Sequence, residues 1–118
     1  MTILKLVILS LMVKLSAFKT STASLVKSYK ENKVVGIDVR SLKELKSNPA
    51  RQAIHIPLDH LEKAVGEKVN KDANIFVFCE AGYRAEKAKQ SLTKLGYKNV
   101  TNIKDWRTWN KIRVAATK

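Results

Sequence analysis

The stretch that most limits how this chain can fold is Ile75-Phe76-Val77-Phe78, four strand-forming residues that run directly into Cys79. The run is apolar throughout, without alternation, and so reads as a strand buried on both faces. A short turn with one glycine follows, Glu80-Ala81-Gly82-Tyr83, and then a helix-forming run from Arg84 to Leu95. Cys79 therefore sits where a buried strand ends and a helix begins. Backbone N–H groups of the turn and the first helical turn face that position and stabilise an anion there. A cysteine so placed is expected to be thiolate-like and nucleophilic.

The rest of the chain repeats the alternation. Thr22 or Ser24 is expected to cap a short helix from Ala23 to Glu31, with Leu25, Val26 and Tyr29 on one face. Val34 to Val39 reads as a second buried strand with Asp38 and Arg40 at its C-terminal end. Ser41 caps a helix over Leu42–Lys46, with Glu44 completing a capping box, and Asn48-Pro49 stops it. Ala53 to Ile56 is a short strand halted by Pro57. Leu58 to Val69 is helical in pattern, and Lys71 to Asn74 is a turn. Gly96 caps the helix that follows Cys79. Lys98 to Ile103 is a last strand, Asp105 to Trp109 begins a final helical turn, and the basic tail from Lys111 is expected to fray. Strands alternating with helices predict an α/β fold, a central mainly parallel sheet with helices on both faces. Ligands of such sheets bind outside the carboxyl ends of the strands, where Cys79 and Asp38 both fall.

At 118 residues the chain has room for one domain. Its single cysteine excludes an intramolecular disulfide, a multi-thiolate metal site and a Cys-x-x-Cys redox pair. His55 and His60 lack partners at metal-ligand spacing, so neither metal nor cofactor is expected. The net charge of +13 reads first as solvated lysines on helix faces, and next as attraction of small anions to the Cys79 loop. Nucleic acid is not an expected partner, because the lysines are dispersed and no aromatic residues interleave with them. A monomer is expected.

Residues 1–23 differ in kind. Leu6 to Val13 is a continuous apolar block between Lys5 and Lys14. It is shorter than the roughly 20 residues that span a bilayer and fits the roughly 7–15 residues of a secretory h-region. Ser21-Thr22-Ala23 offers small residues for cleavage after Ala23. Residues 1–23 read as a signal or membrane-anchoring segment, with a first strand or helix of the domain as the rival, and 24–118 as the folded domain. The expected location is periplasmic or exported, with membrane contact through this segment. A cytoplasmic protein is the alternative.

The ordered landmarks resemble a single-domain rhodanese, a sulfurtransferase, over about Ser24 to Trp109. Ile37-Asp38-Val39-Arg40 with Glu44 is similar to the family's early Asp-Val-Arg segment, and Ala53-Ile54-His55-Ile56-Pro57 to its Gly-Ala-x-x-Ile-Pro turn. Cys79-Glu80-Ala81-Gly82-Tyr83-Arg84-Ala85 resembles its active loop, Cys-x-x-Gly-x-Arg-[Ala/Ser]. Gly96-Tyr97 and Val100 to Ile103, closing with Trp109, resemble its C-terminal signature. With the N-terminal segment, the likeness is to small periplasmic rhodaneses of the phage-shock type. Gln52 stands where the family has glycine, Lys104-Asp105 replaces its Gly-Gly, and its histidine is replaced near Pro49.

The resemblance implies that Cys79 carries sulfur. Its thiolate attacks the outer sulfur of a small anionic donor such as thiosulfate, sulfite leaves, and cyanide or a thiol removes the terminal sulfur from the persulfide. Glu80, Ala81, Gly82, Tyr83 and Arg84 are the implied substrate-binding loop, with amides turned inward and the Arg84 charge facing the donor. Cysteine-dependent phosphatases and arsenate reductases place arginine after five intervening residues; here four intervene, which favours sulfur over phosphate. A low-turnover sulfur-carrier or protein-binding module is the alternative reading. Glu80 is expected to turn its carboxylate away from the thiol. Asp38 and Arg40 are expected to be structural, with Arg40 pairing Glu44 and Asp38 accepting N–H bonds from a neighbouring loop. Cleavage of the N-terminal segment predicts that intact-mass analysis of protein from its native host finds a chain beginning near Ser24; an intact N-terminus in a soluble cytoplasmic fraction refutes export.

Overall fold

The computed structural model describes residues 21–117. Four strands form one parallel sheet in the order β2-β1-β3-β4. They are β1 (Val34–Asp38), β2 (Ile54–His55), β3 (Asn74–Cys79) and β4 (Asn99–Asp105). Five α-helices accompany them: α1 (Thr22–Glu31), α2 (Leu42–Ser47), α3 (Leu61–Lys68), α4 (Tyr83–Lys94) and α5 (Trp106–Ala116). The signal or anchoring segment expected over residues 1–23 lies largely outside the described residues. Ser21 to Ala23, which are described, make the cap and first turn of α1. Among the described residues no helix is long and apolar enough to cross a membrane.

β3 is central because every side chain from Ile75 to Cys79 is buried. Its alternate residues serve two cores, as the period-2 geometry of a strand requires. Ile75, Val77 and Cys79 join Leu61, Val65, Ala85, Ala88 and Leu92 beneath α3 and α4. Phe76 and Phe78 join Leu25, Ile103, Trp109 and Ile112 beneath α1 and α5. Trp109 fills the middle of the second core. It stacks on Phe78 at 5.6 Å, meets Tyr29 edge-on, and donates its indole N–H to the Arg51 carbonyl at 2.9 Å.

Several element ends depart from the sequence reading. Ser21, rather than Thr22 or Ser24, caps α1, accepting the Ser24 amide at 3.2 Å. Pro57 leads into a 3-10 turn over Leu58–His60 before α3 begins. The tail from Lys111 is not frayed: α5 runs to Ala116 because Ile112, one turn beyond Trp109, is fully buried. The Ser41–Glu44 capping box and the left-handed Gly96 cap form as expected.

The β3–β4 register slips next to the site. Val77 faces Asn102 but Phe78 faces Lys104, so Ile103 is an extra residue. Such a bulge re-aims the strand end, and here it brings Asp105 opposite Cys79. Asp105 then caps α5, accepting the Thr108 amide at 2.8 Å.

Gly36 lets β1 pass under Trp109: a Cβ there would lie 2.5 Å from the indole Cη2. Gly36→Ala is expected to destabilise the domain by about 1–3 kcal/mol in urea unfolding. The same change is expected to be milder in a Trp109→Phe background, the signature of direct coupling.

Candidate functional site

Cys79 ends β3, and its residue surface is only 1% exposed. The sulfur accepts the Gly82 amide N–H at 3.0 Å, and the thiol faces the Lys104 carbonyl at 3.7 Å. Gly82 stands just before α4 with φ +103, a conformation glycine adopts without a Cβ clash. A Cβ at this position would also meet the Lys104 Cγ at 3.1 Å. The glycine thus lets the chain curl back so that its amide reaches the sulfur.

The side chains of the loop turn away from the sulfur. Glu80 accepts the Trp106 indole N–H at 2.7 Å and pairs with Arg107 at 2.8 Å, tying the loop to the first turn of α5. These two donors, Arg107 first, hold its carboxyl below the usual range. Ala81 lines a groove, and Tyr83 is 81% exposed. The Arg84 guanidinium grips Glu44 in a two-pronged pair at 2.6 and 2.8 Å. The Arg84 hydrogen bonds, aided by Ser41, pull the Glu44 carboxyl down to about 2. Glu44 in turn raises the Arg84 pKa, and the nearby Cys79 and Asp38 add smaller contributions in the same direction.

The expected Arg40–Glu44 side-chain pair does not form. Arg40 and Asp38 are both fully buried and pair with each other. Arg40 donates from Nη2 to Asp38 at 2.7 Å and from Nε at 2.9 and 3.1 Å, and Asp38 also accepts the Arg40 amide rather than a neighbouring loop's. A guanidinium removed from water needs an adjacent carboxylate and full hydrogen bonding; only Asp38 lies at that depth. Arg40 also reaches the Asn48 carbonyl at 2.8 Å, and its own carbonyl meets His55 Nε2 at 2.7 Å. His60 is exposed. Among the described residues no cluster of His, Cys, Asp or Glu has the make-up of a metal site.

Sequence reasoning missed Asn102. Its Oδ1 accepts the Lys104 amide at 2.8 Å, while Nδ2 donates to the Gly82 carbonyl and to Glu86, both at 3.2 Å. No local pattern marks such a contact. Gln52 and Lys104 are the two non-glycine residues with positive φ among the described residues, at +67 and +81. A non-glycine residue held there costs about 1–3 kcal/mol. Both stand at positions where the resemblance led one to expect glycine, and that departure was the available signal.

Two grooves flank the loop. One of about 740 Å³ has Gly82, Tyr83, Lys87, Asn102 and Lys104 in its wall. The other, about 620 Å³, runs between Val39, Leu42, Pro57, Leu58 and Arg84.

The sheet is parallel and carries a cysteine loop at the carboxyl end of a central strand. The rhodanese-like domain model matches residues 21–111, and the chain belongs to that family. The chain is 34% identical over 74 residues to a Bacillus subtilis protein named sulfur carrier protein YrkF, covering 59% of this chain and 40% of that one. It is 33% identical over 67 residues to thiosulfate sulfurtransferase PspE of Escherichia coli, covering 56% and 64%. A solved rhodanese with anions from E. coli superposes with a TM-score of 0.60 at 29% identity, covering 64% of this chain and 89% of its own. The chain spans from 40% to 66% of the length of the curated relatives it matches.

The Glu44–Arg84 pair makes stability depend on pH. Glu44 titrates near 4.5 when unpaired and at about 2 when folded. Its contribution is therefore complete above about pH 4.5 and lost as pH falls toward 2. Glu44→Gln is expected to flatten this part of the stability–pH curve and to cost about 1 kcal/mol near neutral pH, since the pair is partly solvent-screened; denaturant titration across pH 2–7 checks it.

Proposed function

We propose that the chain is a sulfurtransferase that carries sulfane sulfur as a persulfide on Cys79. The supporting observation is the Gly82 N–H directed at the sulfur from the start of α4. The same donor is placed to serve the persulfide anion that forms on this sulfur. The thiolate attacks the outer sulfur of thiosulfate. A bond forms between the two sulfurs, the donor's own sulfur–sulfur bond breaks, and sulfite leaves with the electron pair. Cyanide or a thiol then attacks the terminal sulfur of the persulfide and restores the thiolate. The donor and acceptor each react alone with the enzyme, which predicts ping-pong kinetics.

In this reading Cys79 is the catalytic residue, and Glu80, Ala81, Gly82, Tyr83 and Arg84 form the donor-binding loop. Their contribution is chiefly the backbone, because Glu80 and Arg84 commit their side chains to Arg107 and Glu44. The anions in the solved E. coli rhodanese favour an anionic donor. The Leu6–Val13 block supports an exported or membrane-anchored protein. Cleavage after Ala23 would remove the Ser21 cap and cut the first turn of α1.

A second reading, a low-turnover sulfur carrier or docking module, draws on the buried sulfur and on the relative named as a sulfur carrier. Turnover separates the two: robust multiple turnover supports the enzyme, and fast stoichiometric sulfuration with slow steady-state release supports the carrier.

Incubation with thiosulfate is expected to add one sulfur atom's mass to the protein, removable by cyanide and absent in Cys79→Ser. No adduct on the wild type, or an equal adduct on Cys79→Ser, refutes the proposal.

A further inference from the structure

Each arginine around the Cys79 loop is matched to a carboxylate: Arg84 to Glu44, Arg107 to Glu80, Arg40 to Asp38. These pairs cancel most of their charge at the distance of an incoming ligand. A dianionic donor approaching the sulfur needs a cation that is not already neutralised. Lys104 meets that requirement. It is exposed and forms no ion pair within 4.0 Å with any described residue. Its carbonyl lies 3.7 Å from the Cys79 sulfur, and its stem packs over Gly82.

The backbone of Lys104 strengthens the case. Its φ of +81 suits glycine, yet a long cationic side chain occupies the position. Asn102 fixes this conformation from one side by accepting the Lys104 amide, and fixes the loop from the other by donating to the Gly82 carbonyl. One amide side chain thereby holds the lysine and the sulfur-binding turn in register. Strain of this kind persists where surrounding structure enforces it, and it gathers at functional sites.

We infer that Lys104 is the donor-recognition residue of this site, its ammonium pairing with the sulfonate end of a dianionic sulfur donor of the thiosulfate class. The inference rests on the reading of Cys79 as the sulfur carrier. The ammonium faces the group that departs as sulfite, whose negative charge grows as the donor's sulfur–sulfur bond breaks. Lys104 therefore acts in sulfuration of Cys79 and leaves the cyanide step to the persulfide itself.

The test compares wild type with Lys104→Met, Lys104→Arg and Lys94→Met. The last removes an equal charge at the far end of α4 and controls for long-range steering. The readouts are the second-order rate of Cys79 sulfuration by thiosulfate and the rate of Cys79 alkylation by iodoacetamide, which is neutral. Lys104→Met is expected to slow sulfuration about tenfold, the size of one charge-assisted contact, with alkylation unchanged. Lys104→Arg recovers most of the rate, and Lys94→Met stays within about twofold of wild type, as a remote screened charge should. A Lys104→Met rate equal to wild type overturns the inference, as does a parallel loss of alkylation, which marks a disturbed loop, or an equal loss in Lys94→Met. A wild type that is never sulfurated overturns instead the reading of Cys79 as sulfur carrier.

Discussion

The buried Asp38–Arg40 pair governs how the carboxyl end of the sheet is assembled. Burying a guanidinium without its partner leaves an uncompensated charge, which is strongly destabilising. Here the partner lies two residues back on the same strand end, and Asp38 receives donors from both the Arg40 backbone and its side chain. The remaining reach of Arg40 goes to the Asn48 carbonyl, and its carbonyl holds His55. The guanidinium also lies 5.5 Å from the centre of the Trp106 ring, whose indole binds Glu80 of the cysteine loop. One buried ion pair thus joins β1, the segment before β2 and the start of α5 around the place where β3 delivers its sulfur.

Charge around that sulfur is arranged in layers. The innermost layer is backbone: the Gly82 amide and the Lys104 carbonyl. Outside it lie the matched pairs Glu44–Arg84 and Glu80–Arg107, which brace the loop from α2 and from α5. The net charge of +13 therefore overstates what a ligand meets at the site. Lysines make up most of the excess, and position decides which of them matters.

Much of the fold was legible because its signals are local. The unbroken apolar run of β3 required burial on both faces, and the structure supplies a separate core for each. The Ser41–Glu44 box and the Gly96 cap depend on neighbours within a few residues, so their spacing alone fixed them. The extent of α5 was misread because its stability comes from burying Ile112 under the sheet, a tertiary contact that overrides the basic, weakly patterned tail. Arg40 and Glu44 were matched wrongly because four-residue spacing suggests a pair, whereas depth of burial selects the partner.

Sequence by itself determined the alternating α/β architecture, the position of Cys79 at a strand end, and the glycine that lets the loop curl. Each follows from residue type and short-range spacing. Tertiary structure alone decided where the charges go: Arg84 to Glu44 across 40 positions, and Glu80 to α5 across 26 and 27. It also decided that Asn102 would bind Lys104 and Gly82 together. The pairs of Arg84 and Glu80 join distant segments, and the one-residue bulge at Ile103 beside the site shows only when β3 and β4 lie side by side.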